Sequence, residues 1–242
     1  MPVTSRPHAE HDHVTPYDRL AWSDLEVEEL LASGERRDEL VAYFGADEYR
    51  ELARLTRAAR RAPLDRGLRV FIVPGVMGSQ LGLRRRGALP NDVLWIDPID
   101  ITIGRLTALR LPSKARIVPL GAVLFTYLKL KLHLRSAGFD AVLYPYDWRL
   151  DIGDLGRHLA ARLREETAPR VAIVAHSMGG LVGRAALATR RAPDVERFVM
   201  LGTPNFGSFA PVQALRGTYA VVRKIARLDL RHSAEDLAQY VF

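Results

Sequence analysis

The chain of 242 residues contains no cysteine. That excludes disulfide bridges, thiolate zinc sites, iron–sulfur clusters and a cysteine nucleophile. Lysine is scarce: it occurs only at Lys114, Lys129, Lys131 and Lys224, so arginines spread along the chain carry the formal charge of +7. A compositional bias toward arginine explains that excess as readily as a polyanion site does, and no nucleic-acid partner is expected. Long apolar runs are also missing. The longest, about Ile117 to Leu132, is broken by Pro119, Gly121, Lys129 and Lys131, too short and too charged to span a bilayer. The first twenty residues are polar and lack the apolar centre of a secretory signal. The expected compartment is therefore the cytoplasm, or is left unassigned. His8, His11 and His13 fall in this stretch and read as a solvated tail rather than a metal site. No metal and no organic cofactor is expected.

What is present reads as an ordinary folded protein, 48% hydrophobic and 26% charged. Residues 1–20 are expected to be a flexible tail and 21–66 a helical accessory segment. In that segment Ser23 can cap a helix through Leu25, Leu30 and Leu31 that Ser33-Gly34 ends. A second helical pattern starts near Arg36, is interrupted by Gly45 and is stopped by Pro63. The charges fill the other positions, so the segment is expected to dock its apolar face on the main body.

After Pro63 the pattern changes. Leu68–Val73, Ala141–Tyr144, Val171–Ala175 and Phe198–Leu201 are short apolar runs rich in β-branched residues, and proline or glycine ends three of them. Helical stretches Phe125–Ala137, Leu155–Glu166 and Met178–Arg190 separate them. Continuously apolar strands alternating with helices predict an α/β fold with a mostly parallel sheet covered on both faces. Ligands of such sheets bind at the carboxyl ends of the strands.

One of those ends is distinctive. Val171–Ala175 runs into His176-Ser177-Met178-Gly179-Gly180, a strand, a sharp turn and a helix, with a small residue two before the serine and a glycine two after. A serine in such a nucleophile elbow stands clear of the sheet, in a strained backbone that tolerates only small neighbours. The helix that follows aims its N-terminus at the site, so the Met178 N–H can donate to a developing oxyanion. The competing reading is a serine at a glycine-rich helix start that cradles phosphate, but no Gly-x-Gly-x-x-Gly or Gly-Lys-Ser/Thr pattern accompanies it. Val73-Pro-Gly-Val-Met-Gly-Ser79 follows the first strand, where the second oxyanion donor of an α/β-hydrolase lies, and Val76 N–H is the candidate.

Four ordered segments, 73–81 (Val-Pro-Gly-Val-Met-Gly-Ser-Gln-Leu), 144–149 (Tyr-Pro-Tyr-Asp-Trp-Arg), 175–180 (Ala-His-Ser-Met-Gly-Gly) and 201–208 (Leu-Gly-Thr-Pro-Asn-Phe-Gly-Ser), resemble the lecithin:cholesterol acyltransferase family of α/β-hydrolases. The resemblance covers about residues 68 to 210. It implies phospholipase or acyltransferase action on a lipid or other ester, with Ser177 as nucleophile and Val76 and Met178 as oxyanion-hole donors. It also implies that Asp147 and Arg149 are structural partners near the rim. Trp148 reads as core, and His176 as a packed residue rather than the base.

The departures are equally specific. The family order is serine, acid, histidine, the last two after later strands. After Ser177 the one histidine is His232, and nothing beyond Leu201 reads as another buried strand. Val212, Leu215, Tyr219, Val222 and Ala226 form a helical stripe suited to a cap, and Ser233–Asp236 resembles a capping box. Residues 67–242 are therefore expected to be an α/β-hydrolase core with lid or cap insertions, C-terminally incomplete, with acid and histidine beyond Phe242. Asp229 and His232 read as one turn or its cap. The alternative function is a catalytically incomplete module that binds lipid or a partner. Residues 84–116 carry Leu94, Trp95, Ile96, Ile99, Ile101, Ile103 and Leu106 between Arg84–Arg86 and Lys114 and Arg116. They read either as a lid in peripheral contact with a lipid surface or as buried core.

Overall fold

The computed structural model describes residues 17–18, 21–87, 89–112 and 116–241, without the side chains of Arg66, Tyr240 and Val241. His8, His11, His13 and Lys114 lie outside the described residues. In chain order the first elements are α1 (Asp24–Ser33), α2 (Arg37–Phe44), α3 (Ala46–Arg61), β1 (Asp65–Val73), β2 (Ser79–Leu83), β3 (Asp92–Trp95) and α4 (Pro98–Thr102). Next come β4 (Val118–Ala122), α5 (Leu124–Ser136), β5 (Phe139–Leu143), α6 (Ile152–Arg164), β6 (Arg170–His176) and α7 (Met178–Leu187). The last are β7 (Arg197–Leu201), α8 (Ala210–Leu215), α9 (Ala220–Ala226) and α10 (Ala234–Val241). The chain divides into two compact units.

The larger unit, Trp22–Gln80 with Gly121–Ser208, is an α/β structure. Its sheet has the order β5-β1-β6-β7, and all three pairings are parallel. From β1 the chain first moves to one side, to β5, and then crosses to β6 and β7 on the other. The order therefore reverses between β1 and β6, and their carboxyl ends frame the crevice where such sheets bind ligands. Helix α5 is buried on two sides. Leu124, Leu128 and Leu132, spaced four residues apart on one face, pack with Val27, Leu31, Leu40 and Leu52 of the accessory helices. Tyr127 packs with Val70, Ile72, Ala141 and Ala172 of the sheet.

Charge supports the same docking. Lys129 bonds Glu48 at 3.1 Å and Glu51 at 2.6 Å, Arg135 meets Glu28 at 2.8 Å, and buried Lys131 pairs with Asp24 and Glu28. The start and stop signals of the accessory segment also act as read. Ser23 and Glu26 form a reciprocal capping box, and Gly34 and Gly45 end α1 and α2 at positive φ.

The second unit comprises residues 1–21, 81–120 and 209–242. Sequence patterning gave no sign of the three-stranded sheet β3-β2-β4, whose β2–β3 pairing is antiparallel. Leu94, Trp95, Ile101 and Leu106 are buried in this unit, which favours the core reading of 84–116 over a lipid-contacting lid. Arg85 is drawn inward too, 3.1 Å from buried Asp18 and 3.4 Å from Asp92. Arg105 bonds Asp92 at 2.7 Å and Asp100 at 2.6 Å. The expected stripe at 212–226 does not form as one helix. Gly217 at φ 65° separates α8 from α9, leaving Val212 and Leu215 exposed while Val222 and Ile225 are buried. Ser233 and Asp236 do make the reciprocal cap, with N–H to side-chain oxygen distances of 2.9 and 3.1 Å.

Candidate active site

Ser177 follows the last residue of β6, a strand flanked by β1 and β7. Its backbone has φ 52° and ψ −124°, a conformation a residue with a Cβ adopts only where its surroundings impose it. Two contacts impose it here. Ser177 N–H donates to the Leu201 carbonyl at 2.8 Å, and Gly180 N–H donates back to the Ser177 carbonyl at 3.0 Å. The helix that follows lies hard against β1, because a Cβ at Gly179 would collide with the carbonyl oxygens of Val73 and Pro74. Among the described residues the Ser177 hydroxyl has no hydrogen-bond partner, and the side chain is half-buried.

The loop after β1 reaches the same point. Val73 is in register with Ala175, so Pro74-Gly75 leaves the sheet beside the elbow. A Cβ at Gly75 would sit 3.0 Å from the Ser177 Cβ and 3.1 Å from His176 Nδ1, so any larger residue would press on the elbow. Val76 follows, 44% exposed, and Met77 takes φ 61°. The N–H groups of Val76 and Met178 have no intramolecular acceptor among the described residues. That arrangement can do acyl chemistry: a half-buried hydroxyl with no hydrogen-bond partner among the described residues, near two N–H groups without an acceptor in a rigid backbone.

The 144–149 segment braces this loop. Tyr146 O–H donates to the Pro74 carbonyl at 2.7 Å, its N–H donates to the Ser79 hydroxyl at 3.0 Å, and Trp148 Nε1–H donates to the Ser79 carbonyl at 3.1 Å. Burial pushes the Tyr146 hydroxyl well above the usual phenol range, so it stays a donor at neutral pH. Asp147 and Arg149 form a two-pronged pair, at 2.8 and 2.6 Å, with both side chains buried.

His176 differs from expectation. Its residue is exposed rather than packed, and its Nδ1 lies 3.0 Å from the hydroxyl of Tyr127, which sequence reasoning did not single out. In the second unit Asp229 and His232 do meet, at 3.0 Å through Nδ1. The same carboxylate accepts the N–H groups of Arg231 and His232 at 2.7 and 3.0 Å, so the pair closes a turn, as its spacing predicts. Among the described residues no group of three or more histidines and carboxylates could hold a metal, and no helix is long and apolar enough to cross a membrane.

Residues 122–229 match the family model of lecithin:cholesterol acyltransferase. That stretch is similar to the lecithin:cholesterol acyltransferase family. It carries α5, the elbow and β7, and the mostly parallel sheet with helices around it is the α/β architecture of that family. A protein of Saccharomyces cerevisiae described as "Uncharacterized protein YJR098C" is 28% identical over 131 residues, covering 46% of this chain and 20% of its own length. The chain thus spans about a fifth of the length of that curated relative. No solved structure matches significantly.

Proposed function

We propose that the chain carries the nucleophile of a serine-dependent lipid ester hydrolase or O-acyltransferase. The observation that carries this reading is the strained Ser177 elbow, with a free hydroxyl, packed against the Pro74-Gly75 loop. The likeness of residues 122–229 to acyltransferases supports it and favours a lipid ester as substrate.

In this reading the Ser177 oxygen attacks the ester carbonyl while its proton passes to a general base. The carbonyl oxygen becomes an oxyanion, held by the Val76 and Met178 N–H groups. Collapse expels the alcohol, which takes up the proton, and leaves the acyl group on Ser177. Water or a second alcohol then accepts that group and restores the hydroxyl.

A fluorophosphonate probe tests the nucleophile. It should form an adduct on Ser177 that Ser177→Ala abolishes, and ester turnover should fall to background with it. If Ser177 forms no adduct while the folded chain still binds lipid vesicles, the alternative of a binding module stands instead.

A further inference from the structure

The Pro74–Gly75 peptide is held at both of its polar atoms. Its carbonyl, on Pro74, accepts the Tyr146 hydroxyl at 2.7 Å, and its N–H, on Gly75, donates to the Tyr127 hydroxyl at 2.9 Å. Both tyrosines are buried, at 4% and 3% exposure. They come from different elements, Tyr146 from the segment after β5 and Tyr127 from α5. Buried hydroxyls at both ends hold this peptide plane, and the Gly78 N–H bond to the Gly75 carbonyl at 3.0 Å holds the next one, so together they orient the Val76 N–H.

We propose that Tyr127 and Tyr146 are positioning residues that clamp the Pro74–Gly75 peptide and thereby set the oxyanion-hole geometry, with Tyr127 also tying this loop to the elbow of Ser177. The proposal rests on the reading of Ser177 as nucleophile. The tie runs through His176. Because the Tyr127 oxygen already accepts from Gly75, its own proton is free to go to His176 Nδ1 at 3.0 Å, one residue from Ser177. Burial raises the pKa of Tyr127, so that proton is in place at neutral pH.

The helix bearing Tyr127 is registered to the same loop. Val123 N–H donates to the Gly78 carbonyl at 2.9 Å, four residues before Tyr127 and one helical turn away. The loop also closes on itself, Gly78 N–H to Gly75 carbonyl at 3.0 Å. A Cβ at Gly78 would lie 2.7 Å from the Tyr127 oxygen. It would also lie 2.8 Å from the Pro74 Cβ and 2.9 Å from the Gly75 carbonyl oxygen, so the glycine at 78 makes room for the hydroxyl and for the turn itself, inside which Val76 sits.

Tyr127→Phe and Tyr146→Phe delete one hydroxyl each and keep the ring. Tyr144→Phe is the control, since the Tyr144 hydroxyl has no hydrogen-bond partner among the described residues. Amide exchange at Gly75 and the rate of fluorophosphonate capture by Ser177 are measured in all three variants and the wild type. Loss of one oxyanion donor outright costs about 100- to 1,000-fold, so misplacing one should slow capture by about 10- to 100-fold. Tyr127→Phe and Tyr146→Phe should show that slowing, with faster exchange at Gly75 and unchanged exchange in the β6 strand. The control should match the wild type. The double variant should lose less than the product of the single losses, because both hydroxyls act on one peptide. Capture that is equally fast in all forms overturns the clamp alone. Slow capture with unchanged Gly75 exchange also overturns it. No wild-type adduct on Ser177 overturns the nucleophile reading, and the catalytic use of the clamp with it.

Discussion

Ser177 holds a backbone conformation that suits glycine better than serine, with φ 52° and ψ −124°. Such strain costs on the order of 1–3 kcal/mol and persists because the Leu201 and Gly180 hydrogen bonds over-determine the turn. Ser177→Gly should therefore raise stability by about 1 kcal/mol while removing the hydroxyl, read as a higher urea midpoint at unchanged slope. A variant no more stable than the wild type would show that the turn is not strained. The elbow was legible because its requirement is local: small residues on both sides of one serine, between a strand and a helix. Tyr127 was not legible. Its partners Gly75 and His176 lie 52 and 49 residues away in the chain, and no short-range pattern marks a tyrosine that will meet them.

The segment Tyr144–Arg149 contains no regular element, yet it fixes the loop after β1 through three side-chain hydrogen bonds. Its shape depends on the Asp147–Arg149 pair, whose side chains are 9% and 4% exposed. Removing the cation from a buried pair leaves an uncompensated charge, which costs about 3–5 kcal/mol. Arg149→Met should therefore destabilise the chain by about 3 kcal/mol in chemical denaturation, and a loss under about 1 kcal/mol would show the pair to be solvated. Among the strands, β1, β5, β6 and β7 were readable as apolar runs, three of them ended by proline or glycine and β6 by the serine elbow. The small strands were not. β2 contains Gly82, β4 contains Pro119 and β3 is four residues long, so no alternation survives to be recognised. Pairing with β3, more than intrinsic propensity, makes β2 a strand.

Stability of the chain as a whole should depend on pH through Asp100. Its residue is fully buried, one oxygen faces Arg105 at 2.6 Å and the other has no hydrogen-bond partner among the described residues. Burial outweighs the guanidinium and raises the carboxyl pKa from 3.8 to about 6. The folded form thus binds this proton more tightly than the unfolded chain does. The contribution of Asp100 is complete below pH 3.8 and is lost as pH rises through about 6. Relative to Asp100→Asn, the wild type should lose about 2 kcal/mol between pH 4 and pH 7 in urea unfolding. A difference that stays flat across that range would refute the raised pKa. The amino-acid order alone was enough for the parallel α/β sheet, the docking face of the accessory helices, the serine elbow and the family likeness. Each of these is written in periodicity or in neighbours a few residues apart. Burial of Leu94 and Trp95, the break at Gly217 and the two tyrosine hydroxyls on one peptide emerged from the folded chain, because they depend on groups distant in sequence arriving at one place.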